Sequence, residues 1–169
     1  MSDDDYGGFS LFDLFAQETE AQASLLADGL LALERTPQAA AVLESCMRAA
    51  HSLKGAARIV GVAPGVAVAH VMEECFVLAQ QQSIMLEAAD IDVLLSAVDV
   101  LRSIADAGEN ASAPDTMQAV VAKLESIAGR GTFGGTSGGI LGGTSGATSG
   151  GLTGGNAAAL TGPAAVTSP

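Results

Sequence analysis

A single run of helix-forming residues carries the chain's most informative pattern: Arg48-Ala49-Ala50-His51-Ser52-Leu53-Lys54-Gly55-Ala56-Ala57-Arg58. Residues three and four positions apart are neighbours on a helix, so Lys54 and Gly55 both flank His51. At about 100° per residue, one side of this helix is apolar and His51 lies roughly opposite to it. The apolar stripe consists of Val42, Cys46, Ala49, Leu53, Ala57 and Val60. We therefore expect His51 to face outward. Lys54 places a cation beside it, and Gly55 leaves a gap in the layer of side chains.

Apolar residues recur at three-to-four spacing on both sides of this segment, which is typical of amphipathic helices. The predicted helices span about residues 10–35, 36–61, 64–82, 91–108 and 112–129. Short connections between long helices favour antiparallel neighbours. The predicted fold is therefore all-α: an antiparallel up-and-down four-helix bundle with a fifth, C-terminal helix packed alongside.

Capping residues set the predicted helix ends. Thr36 followed by Pro37 fits an N-cap with proline at the first helical position, and Pro64 fits the opening of the third helix. Glycine is common just after a helix, and three glycines fit the ends of the second, fourth and fifth helices: Gly61, Gly108 and Gly129.

The chain changes character after the fifth predicted helix. Residues 131–169 contain no charged side chain and repeat Gly-Gly-Thr-Ser-Gly at 134–138 and 142–146. Such a segment cannot bury enough apolar surface to offset the entropy of ordering it. We therefore expect two regions: a helical bundle over 9–129, and a disordered linker rich in Gly, Ser, Thr and Ala over 130–169.

The formal net charge is -12, with 7 Lys and Arg against 19 Asp and Glu. Binding to nucleic acid depends on basic patches, so this composition excludes a nucleic-acid partner. The N-terminus lacks the pattern of a secretory signal, and no apolar run reaches the roughly 18 residues of a membrane span. These features predict a cytoplasmic protein without membrane insertion. Cys46 and Cys75 fall on apolar stripes and are interpreted as buried core thiols.

Four polar side chains form a candidate site for phosphoryl transfer. His51 and Lys54 lie on the second predicted helix, and His70 and Glu73 share one side of the third. A carboxylate that accepts the proton of one imidazole nitrogen leaves the other nitrogen free to attack, and Glu73 is the candidate acceptor, directly or through His70. Lys54 supplies the cation that phosphoryl transfer needs. Gly55 leaves room for another protein's active site to close over the ring.

Two motifs resemble those of one signalling family. Ala50-His51-Ser52-Leu53-Lys54-Gly55-Ala56-Ala57 resembles the phosphoacceptor motif of histidine phosphotransfer (HPt) domains, specifically the P1 domain of CheA-type chemotaxis histidine kinases. Ala69-His70-Val71-Met72-Glu73-Glu74 resembles the second motif of that family at the spacing the family uses. The segment Ala57-Arg58-Ile59-Val60-Gly61 and the pair Cys75-Phe76 are most similar to the Wsp-type surface-signalling branch.

The resemblance implies a phosphorelay function and a role for each site residue. His51 would be phosphorylated from ATP by a kinase catalytic domain and would pass the group to an aspartate of a response-regulator receiver. His70 and Glu73 would hydrogen-bond around His51, and Lys54 would assist electrostatically. The chain would hold no cofactor and would not be an enzyme in isolation, because ATP is used by the partner kinase domain. The parent protein would be a CheA-type kinase.

Two other interpretations remain open at this point. One is a helical docking module whose histidine is not phosphorylated. The other is a metal-binding bundle that uses His51, His70 and Glu73, since imidazole and carboxylate ligands on facing helices can hold zinc or iron. The sequence lacks the repeated Glu-x-x-His pairs of di-iron bundles, and Lys54 would repel a metal cation.

Overall fold

The computed structural model describes residues 10–108 and 115–133. Within these ranges the chain forms helices and no strand. The helices are α1 (Leu11–Arg35), α2 (Ala40–Ile59), α3 (Ala63–Gln80), α4 (Ala88–Asp106) and α5 (Asp115–Phe133). In the described part of the chain, no helix combines the length and the apolar character needed to cross a membrane. The predicted all-α class is confirmed.

The first four helices form a closed ring. Contacts join α1 to α2, α2 to α3, α3 to α4 and α4 back to α1. The connections at 36–39, 60–62 and 81–87 are short, so successive helices run antiparallel. The fifth helix packs against α3 and α4, on the side of the ring away from α1 and α2. The predicted bundle with a fifth helix alongside is therefore confirmed.

The apolar stripes of the helices point inward, mostly into one large core. Four residues form a second, smaller apolar cluster: Phe12, Phe15, Ala57 and Ala105. On α2 the predicted stripe is buried at Cys46, Ala49, Leu53 and Ala57, while Val42 and Val60 at its ends are half-buried. Apolar burial of this kind is the main force that stabilises a helical bundle. The opposite side of α2 faces solvent, as the sequence predicted.

The start of α2 differs from the prediction. Thr36 and Pro37 do not open this helix, because the Thr36 N–H donates to the Ala32 carbonyl at 3.0 Å and so closes the last turn of α1. The Ala39 N–H then donates to the Thr36 carbonyl at 3.1 Å, and the helix begins at Ala40. The predicted openings of α1 and α3 are correct: Ser10 caps α1 through a capping box with Asp13, and a proline lies in the first turn of α3.

Two of the three predicted glycine ends are present. Gly61 after α2 and Gly108 after α4 have φ values of 75° and 77°, the left-handed region that glycine adopts without steric cost. The third is wrong, because α5 continues through Gly129 to Phe133.

Contacts of Arg130 and Gly131 hold the last turns of α5 against the bundle. A helix that ended at Gly129 would not make them. Arg130 Nη2 lies 2.5 Å from the Asp90 carboxylate of α4, a side chain that is only 9% exposed. Gly131 packs so closely that a Cβ there would lie 3.1 Å from Leu78. The bundle thus includes residues 130–133, which the prediction assigned to the linker. The remainder of the predicted linker, 134–169, lies outside the described residues.

The two cysteines are free, buried thiols, as predicted. Burial raises the pKa of Cys46 to about 11. Burial, together with the negative charges of Glu74 and Asp90, raises the pKa of Cys75 to about 12. A thiol with a raised pKa is protonated at neutral pH and reacts poorly, so both side chains act as core packing. Cys46 lies directly against Gly29 of α1, where an added Cβ would overlap the sulfur.

Two glycine-to-alanine substitutions test this packing in opposite directions. Gly29→Ala should lower the free energy of unfolding by about 1–3 kcal/mol, because the new methyl overlaps Cys46. Gly129→Ala should raise it by up to about 1 kcal/mol, because the residue is inside α5 and a Cβ there meets nothing within 4 Å. Chemical denaturation followed by circular dichroism measures both. A destabilising Gly129→Ala would contradict the continuous fifth helix.

Candidate functional site

His51 lies on the solvent face of α2, with 66% of its side chain exposed. The buried residues Ala50 and Leu53 fix the rotation of the helix and so keep the ring outside the core. Gly55 is one turn further along, and a Cβ at this position would meet no atom within 4 Å. The imidazole is therefore open to a second protein, and the predicted access at Gly55 is present.

Glu73 of α3 reaches across the α2–α3 interface and contacts two side chains of α2. Its Oε1 lies 2.8 Å from His51 Nδ1, and its Oε2 forms an ion pair with Lys54 Nζ. The side chains of Glu73 and Lys54 are 16% and 18% exposed. An ion pair this sheltered is screened less by solvent than one on an open surface. The carboxylate thus holds the ring and the ammonium in one fixed arrangement.

The environment of Glu73 keeps its carboxyl group ionised. Partial burial by itself would raise the pKa of Glu73, but the hydrogen bonds from Lys54 and His51, with the positive charges of both groups, outweigh it. The net result is a pKa below the ordinary value for glutamate.

The ionised carboxylate fixes which ring nitrogen of His51 carries the proton. A carboxylate can only accept a hydrogen bond, so Nδ1 must be the donor. In the neutral ring, Nε2 then has a free lone pair. Glu73 contacts the ring directly, without His70 between the two side chains. Its orienting role in catalysis stays a prediction.

His70 is placed differently from the prediction. The residue is exposed on α3, one turn before Glu73, and it makes no hydrogen bond to any residue in 10–108 or 115–133. The hydrogen bond that the resemblance implies between His70 and His51 is therefore absent from this structure, because Glu73 already occupies the Nδ1 side of the ring. His70 instead lines an open groove beside Lys54 and Glu73.

The ion pair between Lys54 and Glu73 was not predicted. Lys54 was expected to face the transferred group, but here its ammonium lies on the carboxylate. The sequence did contain a signal for this contact. His51 and Lys54 are one turn apart on the same side of α2, so a carboxylate that reaches one of them from α3 is close to the other.

The arrangement does not favour the metal-binding interpretation. Among the described residues, no three His, Cys, Asp or Glu side chains are grouped closely enough to hold a metal ion. The second oxygen of Glu73 is already engaged by an ammonium group, which would repel a metal cation.

The lowered pKa of Glu73 predicts a pH dependence of stability. An unfolded glutamate has a pKa of about 4.3, and the folded value is lower, so the stabilisation is present above about pH 4.3 and is lost as the pH falls through the folded pKa. The difference in unfolding free energy between the unaltered chain and Glu73→Gln should therefore shrink as the pH falls from about 5 to about 3. Urea denaturation across this range measures it. A difference that does not change with pH would show that the carboxylate is not held ionised by its partners.

Comparison with known proteins is consistent with this geometry. Residues 10–104 match the Hpt domain family. The chain is similar to the chemotaxis protein CheA of Treponema pallidum (strain Nichols), with 29% identity over 139 residues that cover 80% of this chain and 17% of the relative. It is also similar to the chemotaxis protein CheA of Rhizobium meliloti (strain 1021), with 28% identity over 118 residues, 69% of this chain and 16% of the relative. The chain thus spans about one sixth of the length of these relatives.

A solved structure has the same fold. It is the phosphorylated P1 domain of CheA3 in complex with CheY6 from R. sphaeroides, which superimposes with a TM-score of 0.63 at 25% sequence identity. The match covers 71% of this chain and 96% of that domain. The family match extends over more than half of the chain and includes every residue of the site built around Glu73. The chain therefore belongs to the Hpt domain family.

Proposed function

We propose that this chain is a phosphocarrier, in which His51 accepts a phosphoryl group from the ATP-binding domain of a histidine kinase and passes it to an aspartate of a response-regulator receiver domain. The observation that carries the proposal is the hydrogen bond from Nδ1 of an exposed His51 to Glu73. In the neutral ring, this hydrogen bond leaves Nε2 oriented, unprotonated and open to a second protein. Phosphoryl transfer depends mainly on positioning and charge stabilisation, and this site provides both.

In the first transfer, the Nε2 lone pair attacks the γ-phosphorus of ATP held by the partner. An N–P bond forms, the bond from phosphorus to the ADP oxygen breaks, and ADP leaves with the electron pair. The ring keeps its Nδ1 proton and gains positive charge. Glu73 Oε1 lies 2.8 Å from Nδ1, on the side of the ring that carries this proton. The negative charge of Glu73 therefore stabilises the phosphorylated ring.

In the second transfer, a carboxylate oxygen of the receiver attacks the same phosphorus. The N–P bond breaks and its electron pair returns to Nε2, so the ring is neutral again with the proton still on Nδ1. Lys54 is one turn from His51 and is held at the site by Glu73. Its ammonium offsets the negative charge of the phosphoryl oxygens as the two proteins approach.

The comparisons support both partners. The solved relative is a P1 domain that is phosphorylated and bound to CheY6, which supports a receiver as the acceptor here. The two sequence relatives are chemotaxis CheA proteins, which supports a kinase ATP-binding domain as the donor. The chain is then a carrier and not an enzyme by itself, it needs no cofactor of its own, and its parent protein is a CheA-type histidine kinase.

Within that group we assign the chain to the Wsp-type surface-signalling branch, on the sequence of 57–61 and of Cys75-Phe76. In the structure, Cys75 and Phe76 are core residues and Arg58 and Ile59 are exposed beside the His51 face. The cytoplasmic location predicted from the sequence belongs to the same proposal.

The alternative of a docking module without phosphorylation explains less of the structure. A docking surface does not need a partly buried, ionised carboxylate that fixes the tautomer of an exposed histidine. The Glu73 contacts thus favour a chemical role for His51.

His51→Gln is the direct test of the carrier function. Incubation of the unaltered chain with radiolabelled ATP and a CheA-type kinase domain should give a label that is lost in acid and stable in alkali, as a phosphorus–nitrogen bond requires. The label should be absent from His51→Gln. His70→Gln, the matched change at the other histidine, should retain it, because His70 has no contact with the reacting ring. Equal labelling of the chain and His51→Gln would refute the assignment.

The orienting role of Glu73 predicts a kinetic defect without loss of the fold. Glu73→Gln should slow phosphorylation of His51 by about tenfold or more, because an amide cannot hold the ring in one tautomer or neutralise it. Quenched-flow labelling measures the rate, and circular dichroism verifies the helical content. A folded Glu73→Gln variant that is labelled at the unaltered rate would show that the hydrogen bond has no catalytic consequence.

A further inference from the structure

We infer that Arg58, Ile59 and the apolar groove next to them form the part of the docking surface that recognises the receiver, with Arg58 paired to a carboxylate on the rim of the acceptor site. The inference rests on the proposed function. It assigns a partner to residues that take no part in the chemistry at His51, and it fixes the orientation in which the partner docks.

The charged residues on the His51 face of α2 are arranged asymmetrically. Helical spacing places Arg48, Gly55 and Arg58 on the same side as His51, three residues before it and four and seven residues after it. Arg48 is neutralised by Glu44 at 2.5 Å. Arg58 is exposed and makes no ion pair with any residue in the described part of the chain. One end of the face is therefore neutral, and the other presents a free cation.

The free cation is bordered by apolar surface. Ile59 is 76% exposed, the highest value among the large apolar side chains that the structure describes as exposed. Arg58 itself lines a groove of about 350 Å³, together with Gly61, Ala63, Val66 and Ala67. A charged group next to exposed apolar residues is typical of a protein interface and costs stability on an isolated surface.

The distance from His51 places this surface inside the footprint of any acceptor. Arg58 is seven residues from His51, which is about 10 Å along the helix. A standard interface buries about 800 Å² on each partner, equivalent to a disc with a radius of about 16 Å. An interface of this size centred on His51 therefore covers Arg58 and Ile59 as well.

The chemistry of the acceptor identifies the charge that would meet Arg58. Transfer to an aspartate uses a divalent cation, and such cations are held by clustered carboxylates. The rim of that site is therefore acidic. The net charge of this chain is -12, so the two proteins repel each other overall. A free arginine at the point of contact offsets this repulsion locally and selects the docking direction.

The simpler explanation for Arg58 is its position in the last turn of α2, where a cation interacts favourably with the helix dipole. Arg35 provides a matched control, because it is in the last turn of α1, is exposed and has no ion pair among the described residues. It precedes the start of α2, whereas Arg58 is near the end of that helix, about 30 Å away. Both arginines have the same helix-end role, but only Arg58 lies within the footprint.

The test measures transfer separately from phosphorylation. The chain and its variants are phosphorylated with phosphoramidate, which needs no kinase, and the reagent is removed by desalting. Each is then mixed with receiver domains from the source genome that discharge the unaltered chain. Arg58→Glu should lower kcat/KM for transfer by about tenfold at low salt and leave the rate at saturating receiver unchanged. Arg58→Gln should have a smaller effect in the same direction, and Arg35→Glu should remain within about twofold of the unaltered chain.

Varying the salt concentration separates the ionic contribution of Arg58 to receiver docking from the apolar contribution of Ile59. At about 1 M salt the screening length is about 3 Å, so the defect of Arg58→Glu should largely disappear. Ile59→Ser should lower kcat/KM at every salt concentration, because its contact is apolar. Equal defects in Arg58→Glu and Arg35→Glu, a defect that salt does not reduce, or a defect confined to phosphorylation by a kinase domain would overturn the inference.

The outcomes also distinguish this inference from the proposed function. A chain that phosphoramidate does not label at His51 would refute the carrier function itself. A labelled chain that is discharged at the same rate with and without Arg58→Glu would refute only the docking surface. A labelled chain that no receiver discharges would overturn the docking surface together with the second transfer.

Discussion

The Glu73 carboxylate is shared between His51 and Lys54, and the chemistry of the exposed face depends on this one contact. Lys54 or His51 alone would leave part of the desolvation of a sheltered carboxylate uncompensated. Together they lower its pKa and hold it ionised. The ionised group in turn determines that the Nδ1 side of the ring is the donor. In the proposed function, this contact between two helices sets the reactivity of Nε2, on the opposite side of the exposed ring.

The remainder of the bundle serves to keep α2 and α3 in the register that this contact needs. Gly29 allows α1 to approach α2 closely at Cys46, and α4 completes the ring. The fifth helix covers α3 and α4, where Arg130 pairs with the nearly buried Asp90. Asp90 also accepts the backbone N–H of Glu87, so one carboxylate both caps α4 and holds α5. The contacts of α5 lie away from α2, and the His51 face stays open.

Periodicity was sufficient to predict the five helices and the outward position of His51, because amphipathic spacing directly reports which side of a helix is buried. It also predicted Glu73 as the orienting acceptor. Capping signals in the sequence were less reliable, because the same residue can fit the start, the end or the interior of a helix. Thr36 and Pro37 resemble a helix opening, yet the Thr36 N–H closes α1. Gly129 resembles a helix end, yet the packing of Arg130 and Gly131 continues α5 past it. The separation of His70 from His51 could not be derived from spacing alone, because it depends on how far α3 is shifted and rotated against α2. The contact of Lys54 could have been derived, because its spacing from His51 places it near any carboxylate that reaches His51 from α3.

If Glu73 holds the Nδ1–H tautomer of His51, NMR of the imidazole nitrogens should detect this tautomer. The chain has two histidines, so a long-range proton–nitrogen correlation spectrum recorded at alkaline pH is simple to assign. We expect the neutral ring of His51 to carry its proton on Nδ1 and none on Nε2, and we expect Glu73→Gln to lose this tautomer preference. A proton on Nε2 of His51, or the same averaged tautomers for His51 and the unbonded His70, would contradict it.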